Sequence, residues 1–305
     1  MNRTRILPLL ASAAILAGQV REHPAGQELD HGRYIRVVPE AESPVHKVYV
    51  KTRDGLYAAM AVRKPKGDGP FPALVYFHGA PGGRGMEKLV SWSLGTTGGP
   101  IWERFLQEGF VVAVADYRNS SGPRADIIDP EQVTYVDDGV AVVEHLCTLP
   151  FVDKQRIGLY GVSRGGNLVL HLMGRVPVRA AILGAAAPVG FLGIERVTPP
   201  PGGNPLDRYR NVEPDMRIAS KNIQSIQAPV LILVGTADSL LPPNRLLYDL
   251  LTRAGKRVRM EIYEDGYHDF VAGPQGHEGR SEPLLEQTLD ALEKSVEFIK
   301  QHTRK

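Results

Sequence analysis

The amino-acid sequence predicts an α/β protein: one mainly parallel twisted sheet covered by helices on both faces, preceded by an N-terminal antiparallel hairpin. Three observations carry that reading. Apolar runs of strand length alternate with segments of helical period. Several of these runs are apolar throughout and rich in Val and Ile, the composition of strands buried on both faces. Near the start, two strand-like segments flank Asp54-Gly55, a dipeptide that favours a tight hairpin turn.

The chain begins MNRTRILPLLASAAILAGQ, with Arg3 and Arg5 ahead of an apolar, small-residue stretch from Ile6 to Ala17. That is the layout of a secretory signal peptide over residues 1–18, cleaved after Gly18, and it implies export to a periplasm or to the outside of the cell. The stretch is short for a bilayer span, so no stable membrane insertion is expected after cleavage. Gln19 stands where a lipoprotein signal needs cysteine.

Residues 19–44 are polar, proline-spotted and without period, and read as an extended lead-in. A single domain is expected over residues 45–305. Its hairpin is HKVYVKT and LYAAMAVRKP, followed by the loop KGDGPFP. ALVYFHG, FVVAVADY, RIGLYGV, RAAILGA, PVLILVG and VRMEIYE are the sheet strands. IWERFLQEG, VDDGVAVVEHLCTL, NLVLHLMGRV and NRLLYDLLTRAG are the helices between them, and a last helix runs from about Leu284 to Gln301. Residues 188–226 break the alternation, with Pro199-Pro200-Pro201-Gly202-Gly203 and no clear long helix. A loop of that length reads as a lid or specificity segment.

The 305 residues are 43% hydrophobic and 23% charged, enough to bury a large core without staples. The net charge is +2, and removal of residues 1–18 brings it to zero. A neutral chain without a basic run offers no electrostatic case for nucleic acid. The single cysteine, Cys147, excludes an internal disulfide and reads as a buried, inert thiol in an apolar helix.

The sharpest local signal is Gly161-Val162-Ser163-Arg164-Gly165, a G-x-S-x-G between a strand and a helix. A turn that abrupt needs small residues, and it would hold Ser163 in a strained backbone region at a helix N-terminus. The bland alternative is a structural N-cap serine. A serine nucleophile needs a base within hydrogen-bond reach. His145 and His171 lie within helices and read as helix-surface residues. His268 follows the strand VRMEIYE, and Asp238 follows PVLILVG, so both are placed at the carboxyl end of the sheet. Asp265 and Asp269 are nearer His268 in sequence but read as loop carboxylates. Charge developing on a carbonyl oxygen also needs backbone N–H donors. The Arg164 amide is one candidate; the other is the Ala80 amide in His78-Gly79-Ala80-Pro81-Gly82-Gly83, since Pro81 has no N–H. His78 and Gly79 are read as supporting that loop, and Gly161 and Gly165 as supporting the serine.

With FPALVYFHGAPGG, YVDDGVAVVEHLCTLPFVDKQRIGLYGVSRGG, APVLILVGTADSLLPP and GYHDF, the chain resembles the catalytic domain of the prolyl oligopeptidase-like branch of α/β-hydrolases. It is also similar to dienelactone hydrolases and acetyl xylan esterases. The resemblance spreads over roughly residues 70–300. It implies the α/β-hydrolase fold, a Ser163, Asp238, His268 triad in the family's chain order, and no cofactor or metal. Only about 50 residues separate a start at Gln19 from the ALVYF strand, so the propeller that precedes this domain in the oligopeptidases is expected to be missing. The expected activity is hydrolysis of carboxylic esters through an acyl-enzyme, on a small-molecule or short peptide acyl substrate. The alternatives are a serine peptidase acting on short peptides and a non-catalytic binding protein of the same fold. No H-E-x-x-H or phosphate-binding glycine motif points elsewhere. Oligomeric state is not legible in the sequence.

Overall fold

The computed structural model describes residues 18–23, 28–29, 38–95, 101–118, 134–194, 204–268, 270–272 and 284–304. Of the signal peptide read over residues 1–18, residues 1–17 lie outside the described residues. In chain order the strands are β1 (Gln19–His23), β2 (Glu28–Leu29), β3 (His46–Lys51), β4 (Tyr57–Arg63), β5 (Phe71–Phe77), β6 (Val111–Ala115), β7 (Val152–Val162), β8 (Ala180–Gly184), β9 (Val230–Gly235), β10 (Val258–Tyr263) and β11 (Leu284–Leu285). The helices are α1 (Met86–Ser93), α2 (Ile101–Gln107), α3 (Tyr135–Leu146), α4 (Arg164–Leu172), α5 (Met216–Ser225), α6 (Leu241–Arg253) and α7 (Glu286–Thr303).

Nine strands form one sheet in the order β1-β10-β9-β8-β7-β5-β6-β4-β3, and β11 and β2 make a separate two-residue ladder. From β1 to β6 every pairing is parallel, while β4 runs antiparallel to β6 and β3 antiparallel to β4. All six apolar runs read from the sequence are strands here. They alternate with period two between the faces. Val75, Phe77, Leu159, Leu183 and Ile232 pack under α3, α4 and α6, while Leu74, Tyr76, Tyr160, Ile182 and Leu231 pack under α1, α2 and α7.

From β5 the chain moves to β6 on one side, and from β7 to β8 on the other. The loops after β5 and β7 therefore part at the carboxyl edge and leave a crevice between them, the usual ligand position in open α/β sheets.

Several elements differ from the sequence reading. Asp54-Gly55 lies inside a wider turn, closed by the Thr52 N–H on the Leu56 carbonyl at 2.8 Å and the Gly55 N–H on the Thr52 carbonyl at 2.9 Å. Residues 19–23, read as part of a lead-in, form the parallel edge strand on β10. Within 188–226 the ten-residue helix α5 appears. It buries only Ala219 and Ile223, too thin an apolar stripe to stand out in the sequence, and its Asp215 cap accepts from the Arg217 amide. Cys147 is half-buried at the end of α3, and burial pushes its thiol up.

One ion pair inside the core was invisible beforehand. Arg63 at the end of β4 donates to Glu103 of α2 at 2.6 Å, with side chains 2% and 0% exposed. Three further guanidinium N–H groups reach the carbonyls of Ser43, Ser93 and Val38, and the second Glu103 oxygen accepts from the Val38 amide. Both charges are thereby hydrogen-bonded as well as paired, the condition under which a buried charge is tolerated. Glu103→Ala, which strands the guanidinium, is expected to lower the unfolding free energy by about 3–5 kcal/mol, read from urea denaturation followed by circular dichroism.

Candidate active site

Strand β7 gives way to helix α4 across one residue, Ser163, at φ 53 and ψ −116. A non-glycine residue at positive φ costs about 1–3 kcal/mol and persists only where its surroundings over-determine it. Here they do. The Ser163 N–H donates to the Gly184 carbonyl at 3.0 Å, and its own carbonyl accepts from the amides of Gly166 at 3.0 Å and Ala187 at 2.8 Å. The approach is closest at two glycines. A Cβ on Gly165 would lie 2.1 Å from the Phe77 carbonyl oxygen, and one on Gly161 would lie 2.3 Å from the Gly165 carbonyl oxygen. Although Ser163 holds the N-cap position of α4, its side chain makes no capping bond. Its hydroxyl instead meets His268 Nε2 at 3.0 Å.

His268 and Asp238 arrive from the ends of β10 and β9. Those two loops are laced together. The Ala237 amide donates to the Gly266 carbonyl at 3.1 Å, the Thr236 amide to the Tyr263 carbonyl at 2.8 Å, and the Asp265 amide to Thr236 Oγ1 at 2.8 Å. Gly235 and Gly266 touch so closely that a Cβ on Gly235 would lie 1.8 Å from the Gly266 oxygen. Asp238 Oδ2 then sits 3.0 Å from His268 Nδ1, while its Oδ1 accepts from the Leu240 amide at 2.9 Å. The Asp238 side chain is 1% exposed and the His268 ring 41%. Because a carboxylate can only accept, the imidazole proton belongs on Nδ1, and Nε2 turns its lone pair to the serine hydroxyl. Asp265, at φ 56, is fixed through its amide to Thr236. Asp269 lies outside the described residues.

The loop after β5 is clamped by two residues that the sequence reading passed over, Asp116 and Tyr117, just beyond β6. The Asp116 carboxylate accepts from the amides of Gly83 at 2.9 Å, Gly85 at 2.8 Å and Tyr117 at 2.8 Å, and lies 3.0 Å from His78 Nε2. Burial alone would raise its carboxyl; the hydrogen bonds from His78 and the loop amides outweigh burial and hold it down at about 2. The Tyr117 hydroxyl donates to the His78 carbonyl at 2.8 Å, and the two rings stack at 4.8 Å. His78 is thus a member of the loop's scaffold, and Gly79 beside it brings backbone against Ser163: a Cβ there would lie 3.3 Å from Ser163 Cβ. Ala80 follows at the exposed rim. The only sequence hint of the clamp was a polar Asp-Tyr pair ending an otherwise apolar strand.

Arg164 opens α4, so its amide is among those at the helix N-terminus, beside the Ser163 hydroxyl. Its guanidinium carbon lies 4.8 Å from the Tyr135 ring centre and 5.8 Å from that of Tyr117, in cation–π packing. Asn244, fully buried on α6, ties the Asp238 loop to the serine's neighbours by donating to the carbonyls of Leu240 at 2.8 Å and Ala186 at 2.7 Å.

A serine in a strand–helix elbow, with histidine and aspartate from the ends of later strands of a mostly parallel sheet, defines the α/β-hydrolase class. The chain belongs to the prolyl oligopeptidase family, whose profile matches residues 102–303. Acylamino-acid-releasing enzyme 2 of Oryza sativa subsp. japonica is 25% identical over 189 residues, which cover 53% of this chain and 24% of that protein. The Pyrobaculum calidifontis esterase superposes with a TM-score of 0.60 at 21% identity, over 84% of both chains. The Pyrococcus horikoshii acylaminoacyl peptidase gives 0.59 at 18% identity, over 87% of this chain and 42% of that one. Among the described residues, no helix is long and apolar enough to cross a membrane.

His171 lies away from this constellation and corrects its sequence assignment. It is buried in α4, not on a helix surface, because α4 is covered from Gly165 to Leu172; its ring meets Phe191 edge-on at 5.3 Å. Burial, with the Arg175 charge as a lesser cause, lowers its pKa from the ordinary 6.5 to about 3. The folded state therefore binds fewer protons than the unfolded chain between those values. The stability this contributes is complete above 6.5 and is lost as pH falls towards 3. In urea titrations between about pH 7 and pH 4, His171→Leu is expected to show a shallower fall of the midpoint than the unsubstituted protein.

Proposed function

We propose that the protein is an exported serine hydrolase that cleaves carboxylic esters through an acyl-enzyme, with Ser163 as nucleophile, His268 as general base and acid, and Asp238 as its orienting acid. One observation carries this reading: the continuous chain of 3.0 Å contacts from Ser163 Oγ to His268 Nε2 and from His268 Nδ1 to Asp238. His268 takes the hydroxyl proton as Oγ attacks the carbonyl carbon, and Asp238 stabilises the imidazolium that forms. The amides of Arg164 and Ala80 receive the oxyanion. His268 then protonates the departing alcohol, and water, deprotonated by the same ring, releases the acid from Ser163.

One observation supports ester over amide. The likeness to the Pyrobaculum esterase extends over most of both chains, whereas the likeness to the acylaminoacyl peptidase takes in less than half of that enzyme. Release of acylated amino acids, the activity in the rice relative's name, is the second reading. Export rests on Arg3, Arg5 and the apolar stretch from Ile6 to Ala17.

Hydrolysis of p-nitrophenyl acyl esters beside aminoacyl p-nitroanilides separates the two readings. Fast ester turnover with negligible anilide cleavage is expected, and Ser163→Ala should lose about 10⁶ in kcat; comparable anilide turnover would make the protein a peptidase. The clamp on the loop gives a second expectation. Asp116→Ala should free the amides of Gly83 and Gly85, misplace the Ala80 donor and lower kcat about 10²-fold with little change in KM.

A further inference from the structure

Strand β1 lies on the β10 edge with little apolar surface to hold it there. Val20, Arg21 and Glu22 are exposed, and only the end residues Gln19 and His23 are partly covered. Gln19 Oε1 accepts from Arg21 of the same strand at 3.2 Å. His23 instead reaches inward. Its ring stacks on Tyr263 of β10, with centres 4.5 Å apart and planes 15° from parallel. Its Nε2 meets Glu261 Oε2 at 2.5 Å, and because a carboxylate can only accept, Nε2 carries the proton. Glu261 is fully buried, and Arg259 Nε lies 2.8 Å from its other oxygen. His23 Nδ1 lies 3.7 Å from Asp290 Oδ2, the oxygen that accepts from the Tyr263 hydroxyl at 2.7 Å. Taking a donor from a buried carboxylate is costly, so the contact with Glu261 fastens the end of β1.

That end leads directly into the loop carrying His268. The His23 carbonyl accepts from the Glu264 amide at 2.8 Å, just past the end of β10. The Tyr263 carbonyl accepts from the Thr236 amide at 2.8 Å, at the start of the loop carrying Asp238. Gln287 of α7 donates to the Glu264 carbonyl. The His268 loop is therefore gripped by the β9 extension on one side and by β1 on the other. Its backbone matters because the His268 ring is 41% exposed, while the Asp238 side chain is 1% exposed. A ring with that little cover takes its position from the chain that carries it.

We propose that His23 is a positioning residue for His268. By pinning β1 to Glu261 and Tyr263 it fixes the Glu264 amide, and with it the loop that sets the imidazole between Asp238 and Ser163. The inference rests on the reading of His268 as the base; His23 acts through the backbone and not on the reacting atoms. A misplacement of about 1 Å can cost about 10²-fold in rate, so a partial loosening of this loop should cost about ten-fold.

The test is kcat for p-nitrophenyl acetate per active site, with sites counted by fluorophosphonate labelling taken to completion. His23→Ala and His23→Phe should each lower kcat about ten-fold at unchanged KM. The phenylalanine keeps a ring on Tyr263 and removes only the donor to Glu261. His23→Gln, whose amide can still donate, should keep about half or more of the wild-type kcat. Val20→Ala, on the same strand but 45% exposed, should leave kcat and KM where they are. Wild-type kcat per labelled site in both His23→Ala and His23→Phe overturns the proposal, because His23 would then do no more than hold the edge strand. So does a His23→Gln variant as slow as His23→Ala, or an equal loss in Val20→Ala. An unsubstituted protein that neither turns over the ester nor labels at Ser163 defeats the hydrolase reading itself, and that outcome is read before any variant is made.

Discussion

The contact of Gly165 with the carbonyl of Phe77 is the constraint on which the rest of the site depends. With any side chain at that position, α4 could not start directly against β5, and the passage from β7 to α4 would need more than one residue. Only a one-residue passage leaves Ser163 at positive φ, with its hydroxyl off the helix cap and directed to His268. The energy stored there is offset by a buried sheet whose central strands are apolar on both faces, which is why such a site belongs on rigid elements and not on a free loop.

Around that fixed point the carboxyl edge of the sheet is organised by backbone amides more than by charge pairs. Asp116 gathers three amides and a histidine, Asp238 takes one amide and a histidine, and the glycine contact of residues 235 and 266 sets the spacing between Asp238 and His268. Both carboxylates are buried, and both accept hydrogen bonds from backbone amides. The two serve different ends: Asp238 faces His268, while Asp116 faces the loop carrying His78, Gly79 and Ala80.

Much of this was legible beforehand. Strands such as VLILV are uninterrupted apolar runs, which two-sided burial both requires and advertises, and the glycine spacing around Ser163 marks its turn. What escaped notice depends on tertiary neighbours. QVREH has no apolar pattern, and it forms β1 because β10 offers an open edge. His171 carries a polar label, yet its position on a wholly covered helix buries it. Arg63 and Glu103 are 40 residues apart and ordinary in composition; only the packing of α2 against β4 makes them a core pair. Asp116 ends a strand as many loop carboxylates do, and nothing in sequence says that the loop after β5 will fold back onto it.

The most direct test of the central claim is covalent. The intact protein is treated with a fluorophosphonate probe, and the labelled peptide is located by mass spectrometry. An activated serine predicts one adduct, on Ser163, formed rapidly in the folded protein and far more slowly in His268→Ala. A folded protein that leaves Ser163 unlabelled, or that labels equally fast without His268, would contradict the account.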